Sequence, residues 1–211
     1  MSAEPARRSG RPDHHASEEL MRHIVEVAAA LFIGQGYAAT SIEQVATAAG
    51  AGKQTLYRRF GSKEGLFIAV IDQQVRPLLA TAAAVEAADV GPLEALKEAS
   101  RQFLDFVLRR DMVRLHRTLV AEVGRFPELG ERVLNDCMAP FEALLVSLLQ
   151  AARDQGQIRR MDVEMAHAML ASLVTGWPVQ RALLGRSAFA NAAEQDAYFE
   201  AAWDVFLNGV R

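Results

Sequence analysis

Apolar residues recur three and four positions apart along most of this chain, and nowhere do they alternate with polar ones over the length of a strand. That spacing gives each segment one apolar stripe at the helical period, so the 211-residue chain is restricted to an all-α fold. The first stripe, Leu20, Ile24, Val27, Ala28, Leu31 and Phe32, follows an acidic turn at Ser17, Glu18 and Glu19 and stops at Gly34 and Gly36. Residues 1–16 mix Pro, Gly, Arg and His without any period and read as a flexible basic tail with Arg7, Arg8 and Arg11 as its cations.

Two overlapping capping boxes come next, Thr40 with Glu43 and Ser41 with Gln44, ahead of Ile42, Val45, Ala46 and Ala49 on one face. Gly50-Ala51-Gly52 is a tight turn, after which Lys53 to Phe60 forms a third helix with Leu56 and Phe60 inward. Gly61 ends it, and Ser62 caps a fourth helix carrying Leu66, Phe67, Val70 and Ile71 toward Pro77. Two short helices joined by a glycine turn behind a longer helix make a helix-turn-helix, whose second helix enters the major groove of DNA.

With Leu56 and Phe60 facing in, the third helix has Lys53, Gln54, Thr55, Tyr57, Arg58 and Arg59 left for other faces. Lys53 sits in the first turn, where the helix dipole disfavours a cation by several tenths of a kcal/mol; a DNA phosphate there reverses the sign. Gln54, Thr55 and Tyr57 can reach base edges or phosphates, Gln54 suiting adenine and the Thr55 methyl a thymine methyl, while Arg58 or Arg59 adds a guanine or phosphate contact. Thr40, Ser41 and Lys63 would present amides and side chains to the flanking backbone.

The stretch TSIEQVATAAGAGKQTLYRRFGSKEGLF resembles the DNA-binding signature of the TetR family of bacterial repressors, and the resemblance covers residues 17–71. It implies that three N-terminal helices bind DNA, a fourth connects, and a variable helical domain binds an inducer and dimerises. Carried over to matching positions, it implies DNA contacts from Thr40, Ser41, Lys53, Thr55, Tyr57 and Lys63, and leaves Arg58 and Arg59 to set operator preference. From RLHRTLVAEVGRFPELGERV to Trp177 the chain more loosely resembles the AefR-like subgroup. The organisation expected is therefore a tail at 1–16, a helix-turn-helix domain at 17–63, and a helical ligand-binding and dimerisation domain at 64–211.

In the larger part, helical segments are expected at 93–110, 111–124, 128–155 with a kink at Pro140, 162–185 interrupted near Pro178, and 192–208 capped by Asn191 with Glu194. The last two are expected to pair two copies through Val163, Ala166, Leu170, Leu173, Val174 and Trp177 and through Tyr198, Ala202, Val205 and Phe206. Phe103, Phe106, His116, Met138, Phe141, Met165, Met169 and Trp177 offer aromatic and adaptable walls for a ligand-binding cavity, whose occupant is a small apolar or aromatic molecule.

The formal charge of −3 is unevenly spread: residues 1–63 carry 8 Lys and Arg against 6 Asp and Glu, and residues 64–211 carry 15 against 20. One cysteine, Cys137, rules out an intrachain disulfide, and no stretch of the sequence approaches an apolar run of ~20 residues, so a cytoplasmic protein without membrane contact is expected. Enzyme readings fail on spacing. A phosphate loop ending at Gly52-Lys53 needs Gly and Ser or Thr where Thr47 and Gln54 stand, and Glu164-x-x-His167 lacks the partners of a di-iron bundle. Neither catalytic residue, metal nor cofactor is expected. The expectation is a repressor that binds a double-stranded operator as a homodimer and is released by a small-molecule inducer; the alternative is a helical ligand-binding or scaffold protein without DNA function.

Overall fold

A computed structural model describes residues 14–86 and 90–210, and every regular element among them is helical. Of the basic tail expected at 1–16, residues 1–13 lie outside the described residues, and residues 14–16 belong to the first helix rather than to a flexible tail. Helix α1 (His14–Gln35) starts three residues before Ser17, which therefore lies within the helix rather than at its cap. Its Ile24, Val25, Ala28 and Phe32 are buried against α4 (Lys63–Glu86), the long helix leading out of the N-terminal unit. Between them α2 (Ile42–Ala48) and α3 (Lys53–Phe60) form the helix-turn-helix, held to the core by Ile42, Val45, Ala46 and Leu56.

The larger part consists of α5 (Pro92–Leu108), α6 (Arg110–Glu122), α7 (Pro127–Arg132), α8 (Ala139–Asp154), α9 (Val163–Ala171), α10 (Trp177–Leu183) and α11 (Ala192–Val210). Helix α5 packs against α4, α6, α8 and α10, while α9 lies between α8 and α11. Leu96, Leu104, Phe141, Leu149, Leu170 and Phe199 are nearly inaccessible at the centre of this bundle. The expected cap of α11 is present: Asn191 Oδ1 accepts from the Glu194 amide at 3.0 Å, and the Glu194 carboxylate accepts from the Ala190 amide at 2.8 Å.

Both expected proline interruptions take the same form. A π-helical turn at Val133–Met138 joins α7 to α8 just before Pro140, and another at Ser172–Gly176 joins α9 to α10 just before Pro178. Proline removes a backbone donor and its ring crowds the carbonyl four residues back, so a wider turn ahead of it lets the chain continue. The resulting helix, Pro127–Asp154, is 28 residues long with a mean hydropathy of 1.2 in its most apolar window, long and apolar enough by those two measures to cross a membrane, although Asp136 and Glu142 interrupt its apolar run. It buries Phe141, Leu145, Leu148 and Leu149 within the bundle.

Candidate nucleic-acid interface and effector cavity

The helix-turn-helix is shaped by short-range chemistry. Of the two capping registers, Ser41 with Gln44 is the one formed: Ser41 Oγ accepts from the Gln44 amide at 3.2 Å, and Gln44 Oε1 accepts from the Ser41 amide at 2.7 Å. At the other end of α2 the Gly50 amide donates to Thr47 and the Ala51 amide to Ala46, closing the helix around a left-handed Gly50 (φ +61°). The next corner is tighter. A Cβ on Gly65 would lie 1.9 Å from the Phe60 carbonyl oxygen, so only glycine allows α3 to approach the start of α4 this closely.

Helix α3 buries Leu56 completely and half-buries Phe60. At 100° per residue Gln54 and Arg58 fall opposite Leu56, with Tyr57 and Thr55 to either side. Gln54, Tyr57, Arg58, Arg59 and Lys53 are exposed, and Thr55 is half-buried. Lys53 is paired with Glu43 on α2 and lies 5.5 Å from the Tyr57 ring centre. The Lys53 ammonium holds the Glu43 carboxyl below its usual range, and Glu43 raises Lys53 in turn. The unfavourable dipole position of Lys53 thus has a counter-charge within the protein, so that position alone does not demand a phosphate, as the sequence argument held.

Two expected contacts are committed inward. Thr40 is buried: its hydroxyl donates to the Gly36 carbonyl at 2.7 Å and its amide to the Tyr37 carbonyl, so neither is free for a phosphate. Lys63 Nζ donates to the Tyr37 carbonyl at 3.0 Å and sits 4.2 Å from the centre of the Tyr37 ring.

Tyr37 was not singled out by the sequence, yet it is the hub between the two parts of the chain. Fully buried, it stacks on Phe32 and meets Phe67 and Phe126 edge to face, and its hydroxyl donates to Glu64 at 3.0 Å. Burial, reinforced by Glu64, holds that hydroxyl far above the ordinary phenol range. Bonds from Ser62, then from its own backbone amide and Tyr37, keep the Glu64 carboxyl below its usual value. Across the same joint the Ala38 amide donates to Glu122 of α6 at 3.2 Å, and the Cys137 thiol lies 3.8 Å from the Ile68 carbonyl. A lone tyrosine between two glycine-flanked helices has no periodic signal, so only packing reveals it.

In the larger domain a cavity of about 60 Å³ opens among α5, α8, α9 and the π-turn after α9. Of the expected walls only Phe103 and Phe141 line it, with ring centres 5.0 Å apart. Phe106 is buried against Phe103, Met138 packs beside the core, and His116 is exposed on α6. Met165, Met169 and Trp177 are also no part of the wall: they are exposed, together with Leu184 and Val205. The expected pairing stripes are split: Ala166, Leu170, Val174, Ala202 and Phe206 are buried in the bundle itself, Val163, Leu173 and Tyr198 are half-buried, and Trp177 and Val205 are exposed. Sequence reading missed Ser100, Glu142, Leu145, His167, Ala171 and Thr175 as wall residues; with Leu170 and Val174 they complete the wall from α5, α8, α9 and the π-turn after α9. Among the described residues no cluster of three or more His, Cys, Asp or Glu could hold a metal.

Residues 24–70, which contain this helix-turn-helix, match the profile of bacterial regulatory proteins of the TetR family, and residues 94–209 match that of the AefR-like transcriptional repressor C-terminal domain. The chain belongs to the TetR family. The two profiles together account for the observed division into a three-helix N-terminal unit and a helical C-terminal domain. The solved structure of the flavonoid-responsive regulator FrrA is 29% identical to this TetR-family chain, with a TM-score of 0.72 over 92% of this chain and 98% of FrrA. The transcriptional repressor NicS of Pseudomonas putida is 25% identical over 88% of this chain and 87% of its own. The transcriptional activator FasR of Mycolicibacterium smegmatis is 27% identical over 49% of this chain, which spans about half of FasR, 47%. This TetR-family protein is a DNA-binding transcriptional regulator.

Proposed function

We propose that the chain represses transcription by binding a duplex operator as a homodimer, and that a small apolar or aromatic molecule in the α5–α8–α9 cavity releases it. The observation that carries the DNA reading is the outward arc of α3. Gln54, Tyr57 and Arg58 are exposed there, with Thr55 half-buried beside them, while Leu56 alone is fully buried. These four residues read base edges and the adjoining phosphates in the major groove, and Arg59 adds a backbone contact on the flank.

Ser41 and the N-terminus of α2 meet phosphate beside them. Lys53 exchanges Glu43 for phosphate on docking, because both partners are exposed and water screens their pairing. Lys63 keeps its bond to Tyr37 and offers its remaining protons to the backbone, whereas Thr40 shapes the loop from inside.

Dimerisation is assigned to the apolar face left uncovered on α9, α10 and α11. Met165, Met169, Trp177, Leu184 and Val205 are half or more exposed or close to it, and Ala197 and Ala201 continue the Val205 row at four-residue spacing. Two recognition helices held this way would read half-sites ~34 Å apart. Repression follows the AefR-like profile and NicS, and a small aromatic effector accords with the responsiveness of FrrA. The reading places the protein in the cytoplasm and gives it no catalytic step.

Gel shifts on the DNA upstream of its own gene test the proposal. Tyr57→Ala should weaken binding by about tenfold or more while the dimer persists, and Lys53→Ala should lower the log-log salt slope by about one. Unchanged affinity in both variants overturns the DNA contact assignment.

A further inference from the structure

The polar atoms around the α5–α8–α9 cavity are unbalanced toward acceptors. Ser100 donates its hydroxyl proton to the Leu96 carbonyl at 2.7 Å, and Thr175 donates its own to the Ala171 carbonyl at 2.8 Å. Each hydroxyl then has only lone pairs left for a visitor. Glu142, on the wall, is an acceptor in its ionised form and has no hydrogen-bond or ion-pair partner among the described residues. His167, also unpartnered there, is the one side chain on the wall with a proton to give. The remaining wall is apolar, with Phe103 and Phe141 stacked at 25° and Leu145, Leu170 and Val174 around them.

We infer that this cavity takes a one-ring aromatic molecule that donates a hydrogen bond, a phenol or arylamine, and turns away aromatic carboxylates. Phe103 and Phe141, stacked on each other, make one side of the cavity aromatic and favour a ring beside them, and a volume of about 60 Å³ leaves room for no more than one. Three acceptors without donors reward an O–H or N–H on that ring, since a donor entering here meets lone pairs that no protein group uses. A carboxylate would bring a negative charge against Glu142 and find only the imidazole to donate to it. Val174 and Thr175 come from the π-turn, so the widened helix itself builds part of the wall.

The inference rests on the reading of this cavity as the effector site, and calorimetry of the full-length protein with three matched probes, p-cresol, toluene and p-toluate, separates the two. The expected order is p-cresol about tenfold tighter than toluene, with p-toluate not measurable. Glu142→Gln, at an exposed position, removes the charge and adds a donor, so it should bring p-toluate binding within reach and weaken p-cresol. Leu170→Phe fills the cavity and should abolish binding of all three, with a thermal melt to verify folding. If p-toluate binds wild-type protein as tightly as p-cresol, or Glu142→Gln changes neither, the donor rule is wrong while the cavity stands. If no probe binds, or Leu170→Phe and Glu142→Gln both leave every affinity unchanged, the effector site is elsewhere and both readings fall.

Discussion

At the scale of single residues, the helix-turn-helix depends on two positions whose roles are steric. Leu56 is the one fully buried side chain of α3, and Leu56→Ala should lower stability by about 2 to 5 kcal/mol in a urea titration. Gly65→Ala has no room at all, because its Cβ would meet the Phe60 carbonyl oxygen at 1.9 Å; the variant should lose operator binding with α3 displaced, even where circular dichroism still shows helix. Cys137 is the opposite case. Burial, with Asp72 and Asp136 nearby, pushes its thiol up to about 11, so native protein should resist iodoacetamide at pH 8 and react only when unfolded.

At the scale of elements, α2 is seven residues long and could not persist by itself, so its capping box matters. Ser41→Ala should cost about 1 kcal/mol through the lost cap, and more of the effect should appear in operator affinity than expected from stability if the same residue meets phosphate as proposed. The start of α4 carries a pH dependence. The Glu64 carboxyl is held low in the folded state, first by Ser62, then by its own backbone amide and by Tyr37, so its ionised form stabilises the fold at neutral pH. That contribution is complete above the ordinary carboxylate range and fades as pH falls through the lowered folded value. A Glu64→Gln variant should therefore show a shallower loss of stability than wild type in acid denaturation below about pH 4.

At the scale of the whole molecule, two surfaces decide whether ligand and DNA can be coupled. The first is the joint around Tyr37, where Phe126 meets the ring at 5.5 Å and Glu122 accepts from the Ala38 amide. Glu122→Ala should leave both ligand affinity and operator affinity within about threefold of wild type while reducing the effect of one on the other, read as the ratio of operator affinities with and without effector. The second is the uncovered face of α9, α10 and α11. Met169→Glu with Val205→Glu should convert a dimer to monomer in analytical ultracentrifugation and weaken operator binding by a hundredfold or more, since the two half-sites are then bound separately.

The all-helical class, the helix-turn-helix within residues 41–60, the Asn191 cap and the sites of both proline interruptions were legible from the sequence, because each is set by spacing within a few residues. Periodicity names a stripe without saying what covers it. Ala166, Leu170 and Val174 read as a pairing surface yet pack in the bundle, and Met165, Met169 and Trp177 read as cavity walls yet face outward. The pairing of Lys53 with Glu43 and the hub at Tyr37 were likewise decided by contacts between separate elements. Local backbone geometry is written in neighbouring residues, whereas burial and partnership depend on segments far apart in the chain, which meet only once the bundle has closed.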